Sequence, residues 1–363
     1  MSDVRQFTVA NDDDGIRLDR WFKRHLPDVG FATVSRWART GQLRIDGKRA
    51  TPGDRIEAGQ VLRVPPMEAQ LPAASPRPKR ERPKLSQDQI EFATSLVIHK
   101  DRSAIVINKP PGLATQGGTK THEHVDGLLD ALTFEAEGRP KLVHRLDKDT
   151  SGALLLARSA RAAAYFAKSF SSRTARKVYW ALIVGVPSIE DGMIELPIGK
   201  QPGTGGEKMH VDEKEGSPAR TRYRVVERAG NRAAWVELQP YTGRTHQLRV
   251  HMAAIGHPIV GDGKYGGQDA FLTGGISRKM HLHARRIRID HPDGGTLDVM
   301  ADPPPHFAES IEHLGFDPLL ADLPLDEVKF SETAEGKRKA ISAAAKARRK
   351  ERKGERRNRG RNG

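Results

Sequence analysis

The 363-residue chain contains no cysteine. Disulfides, thiolate zinc sites, iron–sulfur clusters and cysteine nucleophiles are excluded together. Long apolar runs are missing too. The longest, such as Ala153 to Ala157, are strand-sized, far short of the ~20 residues that cross a bilayer. Residues 1–15 carry Asp12, Asp13 and Asp14 and hold no apolar segment, so they do not read as a signal peptide. No repeat recurs at a solenoid period. These absences predict a cytoplasmic protein in a reducing compartment, with no membrane partner.

What is present is basic charge, unevenly spread. The formal net charge is +15. Residues 337–363 hold 13 Lys/Arg against Glu351 and Glu355, whereas residues 85–336 sum to −2. A basic tail of this kind usually meets a polyanion, the alternative being a solvated extension. Four domains or segments follow. Residues 1–67 form a small module, and residues 68–87, with Pro72, Pro76, Pro78 and Pro83 among basic side chains, form an extended linker. Residues 88–325 form the large domain. Residues 326–363 lack apolar anchors and are expected to be disordered when free.

In the small module, Ile16, Leu18, Trp21, Phe22 and Leu26 share one helical face, stopped by Pro27. A second helix is expected over Thr33–Thr40, then a hairpin turning at Asp46-Gly47 and a strand over Gln60–Val64. Arg20, Lys23, Arg24, Arg36 and Arg39 dominate the exposed helix faces, as contact with a phosphate backbone requires. The pattern RLDRWFKRHLP…SRWARTGQLRIDGKR resembles the small RNA-binding domain named after ribosomal small-subunit protein S-four.

The large domain is rich in strand candidates: Leu96–Lys100, Ala104–Asn108, Ala153–Ala157, Lys177–Val184, Met193–Ile198, Arg220–Glu227, Ala234–Leu238 and His283–Ile289. Helices are expected at Ala160–Ser171, Thr245–Ile255 and near His306–Leu314. The irregular spacing is not that of a doubly wound fold. It predicts an α+β domain with a large mixed, mostly antiparallel sheet and flanking helices.

Two segments concentrate chemistry. VHRLDKDTSG sets His144, Arg145 and Asp147 beside a very apolar strand, which is costly unless the charges pair or act. A structural Arg–Asp pair and a reactive carboxylate are both consistent with it. In YTGRTHQLRVHMAAIGHPIVGD, Thr245 can cap a helix on which His246, Arg249 and Met252 share a face, and Asp147 is the obvious anionic partner. Other candidates fail. His246 and His251 are wrongly spaced for two ligands on one helix face. His281 and His283 can share a strand face but lack a nearby acid at ligand spacing, so no metal site is expected. GTGGEK (203–208) and Gly117–Lys120 lack a phosphate-loop ending, and the former reads as a hairpin tip.

Taken together, INKPPGLATQGGT, VHRLDKDTSG, RKVYWALIVG and TGRTHQLRVHMAAIGHPIVGD, in this order and spacing, resemble the RluA family of RNA pseudouridine synthases, with an opening similar to the RluC subgroup acting on large-subunit ribosomal RNA. The resemblance spans about Leu96 to Ile311 and does not include the basic tail. It implies a pseudouridine-synthase-like sheet with a central cleft, a monomer, no cofactor, and ribosomal RNA or the pre-ribosomal large subunit as partner. By the same resemblance Asp147 is the catalytic aspartate, Arg145 helps displace the target base, and Tyr179 packs on it. Arg249 pairs with the aspartate and Leu248 lines the pocket floor. Arg244 touches substrate or backbone, and His144 has no assigned role.

Turning uridine into pseudouridine breaks the N1–C1′ bond and joins C5 to C1′, so atoms are conserved. Asp147 can attack sugar or base, or take a proton. A target hidden in a stack must be flipped out. Two other readings stay open: an RNA-binding assembly protein, and a nucleosidase or glycosidase, which needs a second acid such as Asp149 or Asp262.

Overall fold

In a computed structural model, which describes residues 5–66, 84–117, 123–201 and 208–321, the chain divides into two units, Met1–Pro83 and Lys84–Gly363. Residues 68–83 of the expected linker, the tip of the GTGGEK turn, residues 118–120 and the basic tail lie outside the described residues.

The first unit runs β1 (Arg5–Thr8), α1 (Leu18–His25), α2 (Phe31–Arg39), β2 (Arg44–Ile45), β3 (Lys48–Arg49) and β4 (Val61–Val64). The strands form one antiparallel sheet, ordered β1–β4–β2–β3. Asp46 and Gly47 make the expected hairpin turn, with φ of 46° and 78° as two-residue hairpins demand. Leu18, Trp21 and Phe22 of α1 and Val34 and Trp37 of α2 pack on Leu62 and Val64 in a single core. The structure starts α1 at Leu18, because Arg17 is extended; Ile16 only edges the core.

In the second unit, α3 (Gln87–Ser95) precedes β5 (Val97–Lys100), β6 (Ala104–Lys109), α4 (Val125–Leu128), β7 (Lys141–Leu142), β8 (Ser151–Ala157), α5 (Ala160–Ser171) and β9 (Arg176–Val184). The chain continues through β10 (Asp191–Glu195), β11 (Ile198–Lys200), β12 (Met209–Val211), β13 (Arg220–Ala229), β14 (Ala233–Pro240), α6 (Gln247–Ala254) and α7 (Gly263–Gly266). It ends with β15 (Leu282–Asp290), β16 (Thr296–Met300) and α8 (Pro305–His313).

A 10-stranded sheet carries the order β10–β13–β14–β9–β15–β8–β6–β5, with β16 on β15 and β7 on β8. Among the described strands, only β8 and β15 pair in parallel. All seven residues of β8 are buried, because both faces of the sheet are covered. Ile105, Ile107, Leu154 and Leu156 pack under α4; Val106, Leu155 and Ala157 pack against Phe166 of α5. The other half repeats the arrangement. Ala181, Ile183, Ala234 and Val236 meet Leu248 and Met252 of α6, while Trp180, Leu182 and Trp235 meet Phe307 of α8. The uninterrupted ALLLA run is thus a strand with no solvent face.

The structure corrects several expectations. Met193–Ile198 is not one strand: Pro197, which has no N–H for a ladder, separates β10 from β11. β11 pairs with β12 in a small hairpin. The linker ends before residue 87, since Leu85 packs in the second unit and Ser86 caps α3 in a capping box with Gln89. The short strands β1, β7 and β16 and the helix α3 carry too little apolar periodicity to be read from sequence.

Candidate active site

Asp147 stands in the loop between β7 and β8, and its neighbours are tied down on both sides. Lys109, fully buried at the end of β6, donates from Nζ to the carbonyls of Pro110 (2.9 Å), Leu113 (2.7 Å) and Lys148 (3.0 Å). Burial lowers its pKa to about 7, against the opposing charges of Asp149 and Asp147. Thr115 Oγ1 donates to the Leu146 carbonyl at 2.7 Å and accepts the Leu146 N–H at 3.1 Å. The INKPPGLAT segment is therefore the scaffold of the aspartate loop, a role that its sequence does not reveal. Downstream, Gly152 has φ 111°, and a Cβ there would lie 2.3 Å from the Ala284 carbonyl oxygen. Only glycine fits where the parallel β8–β15 pair begins.

His144 also proves structural. Its Nε2 accepts the Leu155 N–H at 2.9 Å and its ring lies 4.6 Å from that of Phe170. Burial and the nearby Lys177 push its pKa down to about 3, so it is neutral.

Asp147 opens onto a cleft of about 1050 Å³ lined by seven Arg and Lys side chains and one carboxylate, its own. Arg145, Tyr179, Arg244, Leu248 and Arg249 line the same cleft, so the structure brings together six residues from three separate segments. Tyr179 rises from β9 between the cores of the two halves of the sheet. Burial, and then the charge of Asp147, raise its phenol pKa, so the hydroxyl stays protonated. Leu248 is buried in the wall. Arg145 is exposed and, among the described residues, forms no ion pair with Asp147, so the loop is not braced by an Arg–Asp pair. Arg244 spends Nε on the Pro218 carbonyl at 3.1 Å and sits exposed at the rim.

Arg249 departs most from expectation. Its Nε and Nη2 bind both oxygens of Asp262 at 2.7 Å, while Nη1 stands 3.9 Å from Asp147. Burial alone would lower its pKa; the hydrogen bonds and charge of Asp262, joined by Asp147, outweigh this and raise it. Asp262 is placed by Gly261, whose φ is 82° and whose Cβ would lie 2.1 Å from the Lys279 carbonyl oxygen. The same carboxylate caps α7 through the Tyr265 N–H. Tyr265 then lies under the Arg249 guanidinium, 4.9 Å from ring centroid to Cζ.

The helix also differs in detail. Its N-cap is His246, not Thr245, in a left-handed conformation with φ 54° and no side-chain cap. Nδ1 of His246 is 2.6 Å from Tyr265 Oη, which accepts the Met209 N–H at 3.1 Å. Nε2 faces Asp147 Oδ2 at 3.9 Å. Burial holds the imidazole pKa down, with Asp147 pulling the other way. A lone pair on Nε2 would oppose the carboxylate, so the N–H belongs there and Tyr265 donates to Nδ1. Met252 does not share this polar face; it is fully buried in the core. Gln247 and His251 are scaffolding as well, tied to Thr242, Thr221 and the Leu196 carbonyl.

Arg20, Lys23, Arg24, Arg36 and Arg39 are all placed on α1 and α2, and all five are exposed. Arg24 is not free: with His25 it pairs to the buried Asp13, at 2.8 and 2.6 Å. His281 and His283 do not face one site. They are buried on the hydroxyls of Ser310 and Ser151, at 2.8 and 2.9 Å.

A cationic cleft lined, among the described residues, by a single carboxylate suits an enzyme that works on a polyanion. Residues 103–254 match the RNA pseudouridylate synthase family. The chain is 32% identical over 291 residues to ribosomal large subunit pseudouridine synthase C of Vibrio cholerae, covering 80% of this chain and 90% of the relative. It is 34% identical to mitochondrial RNA pseudouridine synthase 4 of Arabidopsis thaliana, covering 81% of this chain and 74% of that protein. Among solved structures, human RNA pseudouridylate synthase domain containing 4 superposes with a TM-score of 0.53 at 30% identity, over 63% of this chain and 97% of that one. The chain belongs to the RNA pseudouridine synthase family and is an isomerase that converts uridine to pseudouridine in RNA. No helix of the described residues is long and apolar enough to cross a membrane.

Proposed function

We propose that this enzyme acts on large-subunit ribosomal RNA, as the names of its bacterial relatives say of them, and that Asp147 is its reacting carboxylate. The observation that carries this is the placement of Asp147: among the described residues it is the only acid lining a cleft otherwise ringed by cations. A polyanion fills such a cleft, and a lone carboxylate facing a polyanion is unfavourable for binding alone.

The target uridine is flipped from its stack, with the exposed Arg145 entering the gap and Tyr179 receiving the base. Asp147 then attacks sugar or base, or takes a proton, while the N1–C1′ bond breaks and C5 joins C1′. N1 gains the proton that C5 loses, so the reaction balances without a redox partner. Arg249 and His246, each 3.9 Å from Asp147, flank the carboxylate and keep it aimed. The glycosidase reading weakens, because Asp262 is buried and already bound to Arg249. The basic faces of α1 and α2 and the tail carry the RNA backbone, and the protein works as a cytoplasmic monomer without a cofactor.

The test is to map pseudouridines in ribosomal RNA from cells with and without this chain. Loss of specific large-subunit sites is expected. Loss confined to other RNAs would overturn the substrate, and release of free base would overturn the isomerase mechanism.

A further inference from the structure

Lys177 lines the cleft and has no part in the roles above. It lies on β9 two residues before Tyr179, so both side chains leave the same face of the strand, about 6.7 Å apart. Both line the cleft. Lys177 is half-buried, and its Nζ lies 6.0 Å from the centroid of Phe170, whose ring packs on His144. Among the described residues no carboxylate and no hydrogen-bond acceptor reaches that ammonium. Other cleft cations are provided for: Arg222 is forked onto Asp191 at 2.9 and 2.6 Å, and Arg249 onto Asp262. Arg145 and Arg173 are exposed to water. Lys177 has neither an acid nor full hydration, and burial lowers its pKa. An ammonium withdrawn from water without a partner weakens the fold. Its place beside Tyr179 indicates that the missing anion comes with the substrate.

We propose that Lys177 binds a backbone phosphate of the target strand, next to the uridine whose base rests on Tyr179. The same-face spacing matches the reach from a base through its sugar to the adjoining phosphate. Phe170 and His144 form the dry wall that keeps the ammonium poorly hydrated until the phosphate arrives. This rests on the reading that an RNA strand occupies the cleft.

The test uses the full chain and transcribed large-subunit ribosomal RNA, with Lys177→Met, which keeps the stem and removes the charge, and Lys177→Arg. Lys177→Met is expected to melt at the same temperature as wild type or higher, since an uncompensated charge is removed. Its KM for RNA should rise about tenfold, as for one charge-assisted hydrogen bond, with the defect falling on KM rather than kcat. The slope of log affinity against log salt should shrink by about 0.7–0.9. Lys177→Arg should recover most of the affinity. A synthetic stem-loop with a single uncharged methylphosphonate beside the converted uridine should weaken wild type similarly and Lys177→Met no further. A lower melting temperature with unchanged KM and salt slope would make Lys177 structural and overturn the proposal. So would multiplied defects in the methylphosphonate experiment. Wild-type enzyme that converts no uridine in this RNA would instead remove the substrate reading, and the proposal with it.

Discussion

Arg249 grips Asp262 with two 2.7 Å hydrogen bonds and leaves Asp147 at 3.9 Å. The Asp147 carboxylate therefore has a cation beside it without a direct hydrogen bond from it. Asp262 is what keeps the two apart, and it does so from a glycine turn that admits no side chain at Gly261.

Asp262→Asn is expected to release Arg249, which then closes on Asp147 and competes with its chemistry. Breaking a buried ion pair by removing one partner costs about 3–5 kcal/mol, so melting should shift down. Single-turnover conversion should fall about a hundredfold. Wild-type turnover in this variant would show that the clamp is only structural.

Asp147→Asn keeps size and most hydrogen bonding but removes the charge. Isomerisation should fall by at least about three orders of magnitude, with RNA affinity within a few-fold of wild type. Because the loop is held by Lys109 and Thr115 rather than by Asp147, stability should hardly change. Substantial residual pseudouridine formation would remove Asp147 from its assigned role.

Tyr179 separates packing from proton chemistry. Tyr179→Phe keeps the ring between the two cores and is expected to fold and bind RNA like wild type. Tyr179→Ala should lose about 1–3 kcal/mol of base stacking, read as KM, besides about 3–5 kcal/mol of stability for the cavity. If Phe and Ala lose turnover equally, the hydroxyl rather than the ring is the working part.

Much of this was legible in the sequence, for identifiable reasons. The ALLLA run gave away a strand with both faces covered, and the motifs around Asp147, Tyr179 and Arg249 marked the residues that meet in the cleft. What was hidden depends on contacts between distant segments. Nothing in the spacing of Lys109 says that its ammonium braces the Lys148 carbonyl 39 residues on. Asp262 looked like a possible second acid because its partner, Arg249, was already assigned to Asp147. His246 looked like a helical residue because its left-handed backbone leaves no trace in composition. The glycine before Asp262 was the one available signal.

Acid should unfold the protein early. His144 is held at a pKa of about 3, and His251, His281 and His283 at about 4, chiefly by burial. In the unfolded chain they titrate near 6.5. The unfolded state thus binds more protons below that value, and stability, fully present above about pH 6.5, falls as pH drops toward the folded values. Each buried histidine removes on the order of 2 kcal/mol of stability by pH 5. Urea midpoints measured from pH 8 to pH 5 should decline below about 6.5. A flat profile would mean that these imidazoles are hydrated.

Removal of residues 337–363 takes away 13 Lys/Arg and two Glu from a chain of net charge +15. The cleft and the basic side chains of α1 and α2 remain, so the set of converted uridines should not change. Overall affinity should drop, because every phosphate that the tail no longer neutralises lowers the slope of log affinity against log salt by about 0.7–0.9. A tail that neutralises about four phosphates would flatten the slope by about three when removed. The measurement is a salt titration of full-length and truncated protein on one RNA. Equal slopes would show that the tail touches no phosphate, and its charge would then serve only solubility.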